Sequence, residues 1–287
     1  MKPILTILES EHFSEAAAKR LSEAYQVVYW ATNGMLQYES EVLWARTGKV
    51  DVARYPKLRL IASNMTDVSH LPLDECNARG IEVLSLKGLD LRDVHATAEH
   101  TISLMLQALR LGCERGGKIG RELNGAKVFV IGGGGRIGQQ VRYLAASFGA
   151  IVGDCDTAYG PTAWRLDDYL PQMDIVTIHV PLNEETRGMV NAEFLAKLKP
   201  GAILVNTARH AIVDSDAILN WLRRDKQAIY AHDFADEWGP SRGEAYSEQI
   251  IGTPHIGGWT IESLHKTEEL LAEKVIEWAK ERTGVTV

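Results

Sequence analysis

Short apolar runs alternate with amphipathic stretches from one end of the chain to the other. In the first third, runs at Ile4–Leu8, Val27–Trp30, Val42–Ala45, Leu58–Ala62 and Glu82–Leu86 predict strands. Apolar positions recurring every three or four residues predict helices over Ser14–Tyr25 and Leu73–Arg79 among them. Ala96–Leu111 (ATAEHTISLMLQALRL) reads as a longer apolar-striped helix, a candidate to cross between domains. Further strands are expected at Val128–Ile131, Ile151–Val152, Ile175–Val180, Ile203–Asn206, Ala228–His232 and Gln249–Ile251. A last helix, Ile261–Arg282, returns to pack on the first domain. Strands and helices in alternation are the pattern of a parallel sheet wrapped by helices.

One stretch sharpens this picture. Lys127–Asp156 reads KVFVIGGGGRIGQQVRYLAASFGAIVGDCD, in which an apolar strand runs into Gly133-x-Gly135-x-x-Gly138. An amphipathic helix follows, then a second strand and an acidic pair, Asp154 and Asp156. The first glycine lets the chain turn, the second lets backbone approach a pyrophosphate, and the third lets helix pack closely on strand. The helix N-terminus adds amide donors and partial positive charge. Asp156 lies 23 residues after Gly133, where an acid meets a ribose 2′-hydroxyl. The glycines alone are a weak signal; strand, glycines, helix, strand and acid in order mark a dinucleotide site. Asp156 would repel a 2′-phosphate, and Thr157, Ala158 and Tyr159 after it supply no cation, so NAD is favoured over NADP. The expected architecture is α/β. A Rossmann doubly wound parallel sheet over residues 93–263 is inserted in a second, flavodoxin-like α/β substrate domain formed by residues 1–92 and 264–287.

Bulk properties narrow the field. A length of 287 residues favours two domains, and 45% hydrophobic with 24% charged residues is ordinary for a globular chain. A formal charge of −7 without a Lys/Arg run argues against a nucleic-acid partner. Cys76, Cys113 and Cys155 lack any CxxC spacing and suit a reducing cytosol. The N-terminus turns polar too soon for a signal peptide, and no apolar run approaches the ~20 residues of a membrane span. The expectation is a cytoplasmic protein with no membrane partner.

In an open α/β sheet, ligands bind beyond the carboxyl ends of the strands. Ile203–Asn206 is followed by Thr207-Ala208-Arg209, and Ala228–His232 by Asp233, Asp236 and Glu237. Gln249–Ile251 is followed by Thr253-Pro254-His255-Ile256-Gly257-Gly258. A cation, carboxylates and an imidazole thus share one edge. Moving a hydride between nicotinamide and an α-carbon requires a proton to join or leave the attached oxygen, and imidazole suits that exchange near neutrality. A neighbouring carboxylate favours the protonated ring, and a guanidinium grips a substrate carboxylate by two parallel hydrogen bonds. Singly, each residue has a plainer reading. A His in a turn caps a loop, an Arg after a strand makes a surface ion pair, and Asp236–Glu237 is a solvated loop tip. Their joint placement beside a nucleotide fold is what raises them.

The segments VIGGGGRIG, TIHVPLNEETRGMVN, ILVNTARHAIVD, AHDFADEW and TPHIGGWT, in that order, resemble the D-isomer-specific 2-hydroxyacid dehydrogenases. That family includes phosphoglycerate, glycerate and formate dehydrogenases, and the resemblance runs from about Leu58 onward. It implies an NAD-dependent enzyme interconverting a 2-keto acid and a D-2-hydroxy acid, with Arg209 binding substrate, His255 as acid/base and Glu237 as its carboxylate partner. Arg136, Ile137, Asp156, His179, Pro181, Thr186, Thr207, Ala208, Arg209, Asp233, His255, Gly257 and Gly258, with the motif glycines, become candidate cofactor contacts. Asn64, Met65, Thr66 and Asp67 become candidate contacts for a small anionic substrate, closed over by a cleft between domains. A homodimer built through the cofactor domain is likewise implied.

Four departures from the family pattern stand out. Trp238 occupies the usual place of the catalytic Glu, so Glu237 is one residue early and Asp236 is an alternative. His210 replaces a Gly after the Arg. Gly132 replaces an apolar residue and is expected to loosen the turn. Asp67 replaces a Gly in the substrate loop. These departures keep two rivals open, a non-catalytic NAD(H)-responsive corepressor-like protein and a dehydrogenase that oxidises a small non-hydroxyacid anion such as formate or phosphite.

Overall fold

The apolar runs of the first third pair into one parallel sheet. In the computed structural model, which describes residues 2–30, 38–68, 70–114, 119–159, 166–238 and 248–283, the strands are β1 (Ile4–Ile7), β2 (Gln26–Tyr29), β3 (Val42–Trp44), β4 (Leu60–Ser63) and β5 (Glu82–Ser85). Their order is β2-β1-β3-β4-β5, the flavodoxin-like arrangement. The expected start of β4 at Leu58 is trimmed because the Leu58 amide closes a turn onto the Tyr55 carbonyl.

Helix α1 (Glu15–Ala24) begins at Ser14, whose hydroxyl accepts from the Ala17 amide, and it buries Ala17, Leu21 and Ala24. Leu21 packs in one cluster with Leu271, Val275 and Trp278 of the last helix, Ile261–Thr283. Truncating Leu21 to Ala would cost about 2–5 kcal/mol. Helix α2 (Leu73–Arg79) ends at Gly80 in the left-handed region, φ +67°. A buried ion pair adds a polar tie: Arg46 Nη2 lies 2.8 Å from Glu268 Oε1, while Glu268 Oε2 accepts from the Ser14 amide at 2.8 Å. Residues 1–94 and 259–287 form this compact unit, and His95–Gly258 form the other.

The second unit is built on β6 (Lys127–Ile131), β7 (Ile151–Cys155), β8 (Ile175–Ile178), β9 (Ile203–Asn206), β10 (Ile229–His232) and β11 (Ile250–Gly252). All are parallel, in the order β11-β10-β9-β8-β6-β7. Side chains alternate between two core layers, as the two-residue strand period requires. Val128, Val130, Ile203 and Val205 face a layer shared with Ile102, Met105 and Ala108 of α3 (Ala96–Glu114). Phe129, Ile131, Val176 and Leu204 face the opposite layer. Helix α3 lies wholly within this unit, packed against β9, β10 and α4 (Arg136–Ser147), rather than crossing between domains.

Four shorter helices went unanticipated in the sequence: α5 (Leu166–Tyr169), α6 (Ala192–Ala196), α7 (Ser215–Arg224) and α8 (Ala235–Trp238). Asp214 caps α7 by accepting from the Asp216 and Ala217 amides. The strand order reverses between β6 and β8, which places a ligand crevice at their carboxyl ends. Among the described residues, no helix is long and apolar enough to cross a membrane.

Candidate functional site

The glycine-rich turn after β6 is closed by Gly132, the residue expected to loosen it. Gly132 adopts φ +86°, and a Cβ there would lie 2.4 Å from the His179 carbonyl oxygen. Its amide donates to the Cys155 carbonyl at 2.8 Å. A larger residue is excluded both by backbone conformation and by space, so the turn is tight because of Gly132. Gly138 fulfils the packing role read from the motif: its Cβ would meet Gly132 O at 2.1 Å. Gly133 is held by a different neighbour, Asp154, whose Oδ2 lies 2.4 Å from the Cβ position. Gly135 is the N-cap of α4 and is exposed, without a side chain to cap the helix, so the positive end of α4 faces the crevice. Arg136 and Ile137 follow in the first turn, both half-buried, and burial lowers the Arg136 pKa from its ordinary value.

A cavity of about 660 Å³ opens at this switch point. Gly132, Gly134 and Gly135 line it from β6, Asp156 and Thr157 from β7, and His179, Pro181 and Thr186 from β8. Asp156 Oδ2 accepts from the Gly134 amide and Oδ1 from the Ala158 amide, both at 2.9 Å, which fixes the carboxylate at the cavity wall. One cation reaches this loop from α4. Arg142 Nη1 lies 3.2 Å from Asp154 Oδ2 and donates to the Tyr159 hydroxyl, so it is matched by an acid. Thr186 is buried, donates to the Pro181 carbonyl at 2.6 Å and accepts from the Asn183 amide at 2.9 Å, closing the loop after β8. His179 bonds Thr177 Oγ1 through Nε2, and burial pushes its imidazole down to about 3, so the ring is neutral. A glycine cradle in which Gly132, Gly133 and Gly138 have no room for a Cβ, the N-terminus of α4 and a fixed carboxylate fit the pyrophosphate and ribose of NAD.

Arg209 and His255 sit on loops at the carboxyl ends of β9 and β11, which flank β10. Buried Asn206 shapes the first loop: its Oδ1 accepts from the Ala208 amide at 3.0 Å and its Nδ2 donates to the Arg209 carbonyl at 2.9 Å. Arg209 is half-buried, with Nη1 donating to the Ala208 carbonyl. His255 is exposed, edge-on to the Phe234 ring at 5.3 Å, with φ +53°. A non-glycine residue held there costs about 1–2 kcal/mol.

Buried Asp233 holds that conformation from both sides. Its carboxylate accepts from Thr253 Oγ1 at 2.6 Å, the Ile256 amide at 2.9 Å and the Gly257 amide at 2.7 Å. Burial pushes its pKa up, but the bonds from His100, Thr253, Gly257 and Ile256 outweigh that and hold it below the ordinary carboxylate value. Gly257 is buried, Gly258 exposed.

Glu237 is exposed at the surface of its unit. Phe234 and Trp238, four residues apart, both point inward, so the intervening Asp236 and Glu237 of the one-turn α8 face solvent. Among the described residues, no hydrogen bond or ion pair joins either acid to His255; the carboxylate tied to the His255 loop is Asp233. His210 does not enter the turn as a spacer. It packs edge-on to Trp238 at 5.7 Å, beside buried His232, whose imidazole burial pushes down to about 4. His100 of α3 bonds within its own unit, Nε2 lying 2.9 Å from Thr253 Oγ1.

In the other unit, Asn64, Met65, Thr66 and Asp67 follow β4, with Asn64 buried and its two amide atoms unpartnered. Trp259 is exposed, with the Arg46 guanidinium 5.7 Å from its ring. Arg46, Arg142 and Thr101 draw no site role from the sequence, because each acts through partners well removed in the chain.

Two parallel α/β sheets, one with a dinucleotide cradle at its switch point, define a two-unit nucleotide-binding protein. The chain belongs to the D-isomer specific 2-hydroxyacid dehydrogenase family, whose NAD binding domain matches residues 96–257. D-3-phosphoglycerate dehydrogenase of Mycobacterium leprae is 32% identical over 244 residues, covering 78% of this chain and 46% of the relative. The chain therefore spans about half the length of that relative. Glyoxylate reductase of Thermococcus litoralis is 28% identical over 319 residues, covering 98% of this chain and 95% of the relative. In fold, the NAD+-bound 3-phosphoglycerate dehydrogenase of Entamoeba histolytica superposes with a TM-score of 0.81 at 21% identity, covering 99% of this chain and 97% of that one.

Proposed function

We propose that this protein interconverts a 2-keto acid and the corresponding D-2-hydroxy acid, using NAD. The observation that carries the reading is the pairing of Arg209 and His255 on two anchored loops of one sheet edge, in the unit that holds the NAD cradle. NAD, when bound, supplies or accepts the hydride. Arg209 grips the substrate carboxylate by charge-assisted hydrogen bonds and orients the adjacent carbonyl. His255 gives a proton to the carbonyl oxygen during reduction and takes it back from the hydroxyl during oxidation. Asn64–Asp67 are assigned to the substrate as well, and the assembly to a homodimer. Glu237 is left out of the acid/base pair, because among the described residues no hydrogen bond or ion pair joins it to His255.

The test is NADH oxidation, followed by absorbance, over a panel of 2-keto acids. His255→Ala should reduce turnover by about 10²–10⁴-fold with NADH affinity nearly unchanged. Undiminished turnover in that variant refutes the role. A second reading, an NAD(H)-responsive binding protein without turnover, is favoured because, among the described residues, no hydrogen bond or ion pair joins Glu237 to His255. It predicts tight NADH binding with no oxidation by any acid in the panel. Formate and phosphite, offered with NAD, cover the remaining alternative.

A further inference from the structure

We propose that His100 and Thr101, neighbours in the second turn of α3, form a two-pronged brace that sets the Arg209 turn and the His255 loop in register. They are positioning residues, and the proposal rests on the functional reading above.

The hydrogen-bond directions make each prong specific. Thr101 Oγ1 donates to the Thr97 carbonyl at 2.8 Å, which uses its only proton. Thr207 Oγ1, 2.9 Å away, must therefore be the donor in the contact between the two hydroxyls. Thr101 thereby fixes Thr207, two residues before Arg209. On the other prong, Thr253 Oγ1 donates to Asp233 Oδ1 at 2.6 Å. It is then an acceptor toward His100 Nε2 at 2.9 Å, so the His100 proton sits on Nε2. The same Nε2 lies 3.5 Å from Asp233 Oδ1. His100 thus touches both groups that hold the loop of His255.

Packing leaves the prongs little freedom. Thr101 is fully buried, and the His100 side chain is 15% exposed. A Cβ on Gly257 would lie 2.7 Å from Asp233 Oδ2 and 3.2 Å from His100 Cδ2, so loop and imidazole are pressed together. Helix α3 itself is anchored by Ala98, Ile102, Leu104 and Met105 in the core. A rigid core helix therefore serves as the common reference for two loops whose strands are not neighbours. The loops each have a further anchor, Asn206 or Asp233, and the α3 pair adds a tie from both to one core helix.

The experiment compares Thr101→Val and His100→Leu with the conservative Thr101→Ser and His100→Gln, which keep a hydroxyl and a side-chain N–H. Three readouts are taken on the full chain. They are kcat and KM for a 2-keto acid that the wild type reduces, NADH affinity by fluorescence, and hydrogen exchange of peptides covering 205–212 and 252–258. Expected is a fall in kcat on the order of 10–100-fold for Val and Leu, with NADH affinity little changed and near wild-type behaviour for Ser and Gln. Exchange should quicken at the Arg209 turn in Thr101→Val and at Ile256 and Gly257 in His100→Leu. Should His100→Leu not fold, His100→Asn, too short to reach Thr253, replaces it.

Unchanged kcat and exchange in Val and Leu overturn the brace, as do losses shared equally by Ser and Gln. A wild type that reduces no acid sinks the functional reading instead. The exchange data then decide the brace alone.

Discussion

Replacing Asp233 by Asn is the most direct probe of the loop that carries His255. The wild-type carboxylate, 2% exposed, accepts three bonds from that loop, from Thr253 Oγ1, Ile256 N and Gly257 N. An Asn oxygen in place of Oδ1 keeps the first two. Its NH2 group then faces the Gly257 amide, donor against donor, at the position where Oδ2 now accepts at 2.7 Å. One hydrogen bond to a charged group is lost and one buried N–H is left unpaired, together roughly 2–4 kcal/mol. For a unit of this size that lowers the thermal midpoint by roughly 4–16 °C near neutral pH.

The pH dependence adds a second check. Asp233 is held below its ordinary value in the fold, so its contribution is fully present above the unfolded pKa of about 3.9 and is lost as pH falls through the folded value. The gap between wild type and variant should stay constant from neutral pH down to about 5 and close below about 4. Paired thermal or urea denaturation across that range measures it. A gap absent at neutral pH, or undiminished in acid, refutes the account of Asp233 as an ionised anchor.

Three further outcomes are expected. Gly138→Ala places a Cβ 2.1 Å from the Gly132 carbonyl, a backbone atom that cannot yield cheaply, so NADH binding by fluorescence titration should be abolished and stability reduced by at least about 1–3 kcal/mol. Arg46→Met leaves the Glu268 carboxylate buried without its cation, a loss of about 3–5 kcal/mol by denaturant titration. Arg46→Met combined with Glu268→Gln, which keeps an acceptor for the Ser14 amide, should recover most of that loss. Burial pushes the Cys155 thiol up to about 12, so iodoacetamide at pH 8 should leave Cys155 unmodified in native protein and label it after denaturation, read by peptide mass spectrometry.

The strands and the glycine-rich turn were legible in the sequence because their signals are local. All eleven strands fall on apolar runs, and the cradle occupies consecutive residues after β6. The one-turn helices α5, α6 and α8 were not legible, since four or five residues carry barely one period of a helical pattern. That same shortness hid which way Glu237 faces. On a single turn, one residue is 100° of rotation, enough to decide whether an acid meets the site or water. The expected role of Gly132 failed for a different reason, because the carbonyl that leaves no room for a Cβ there belongs to His179, which β8 brings from 47 residues away.

The carboxyl-end loops show where a sequence reading of such a site reaches its limit. Those after β8 and β9 are first fixed by a polar side chain of their own neighbourhood. Asn206 bonds across two or three residues to Ala208 and Arg209, and Thr186 bonds back to Pro181 and Asn183. Such short-range contacts follow from residue type, because Asn and Thr readily bond nearby backbone. The next level of constraint joins residues far apart in the chain, Asp233 to Gly257 and Thr101 to Thr207. These pairings depend on which strands end side by side and on which turn of α3 lies above them. The identity of Arg209 and His255 as chemically capable groups is therefore a property of local sequence. Their orientation is a property of the sheet order, and a single unfavourable backbone at φ +53° is held in place by a carboxylate 22 residues earlier.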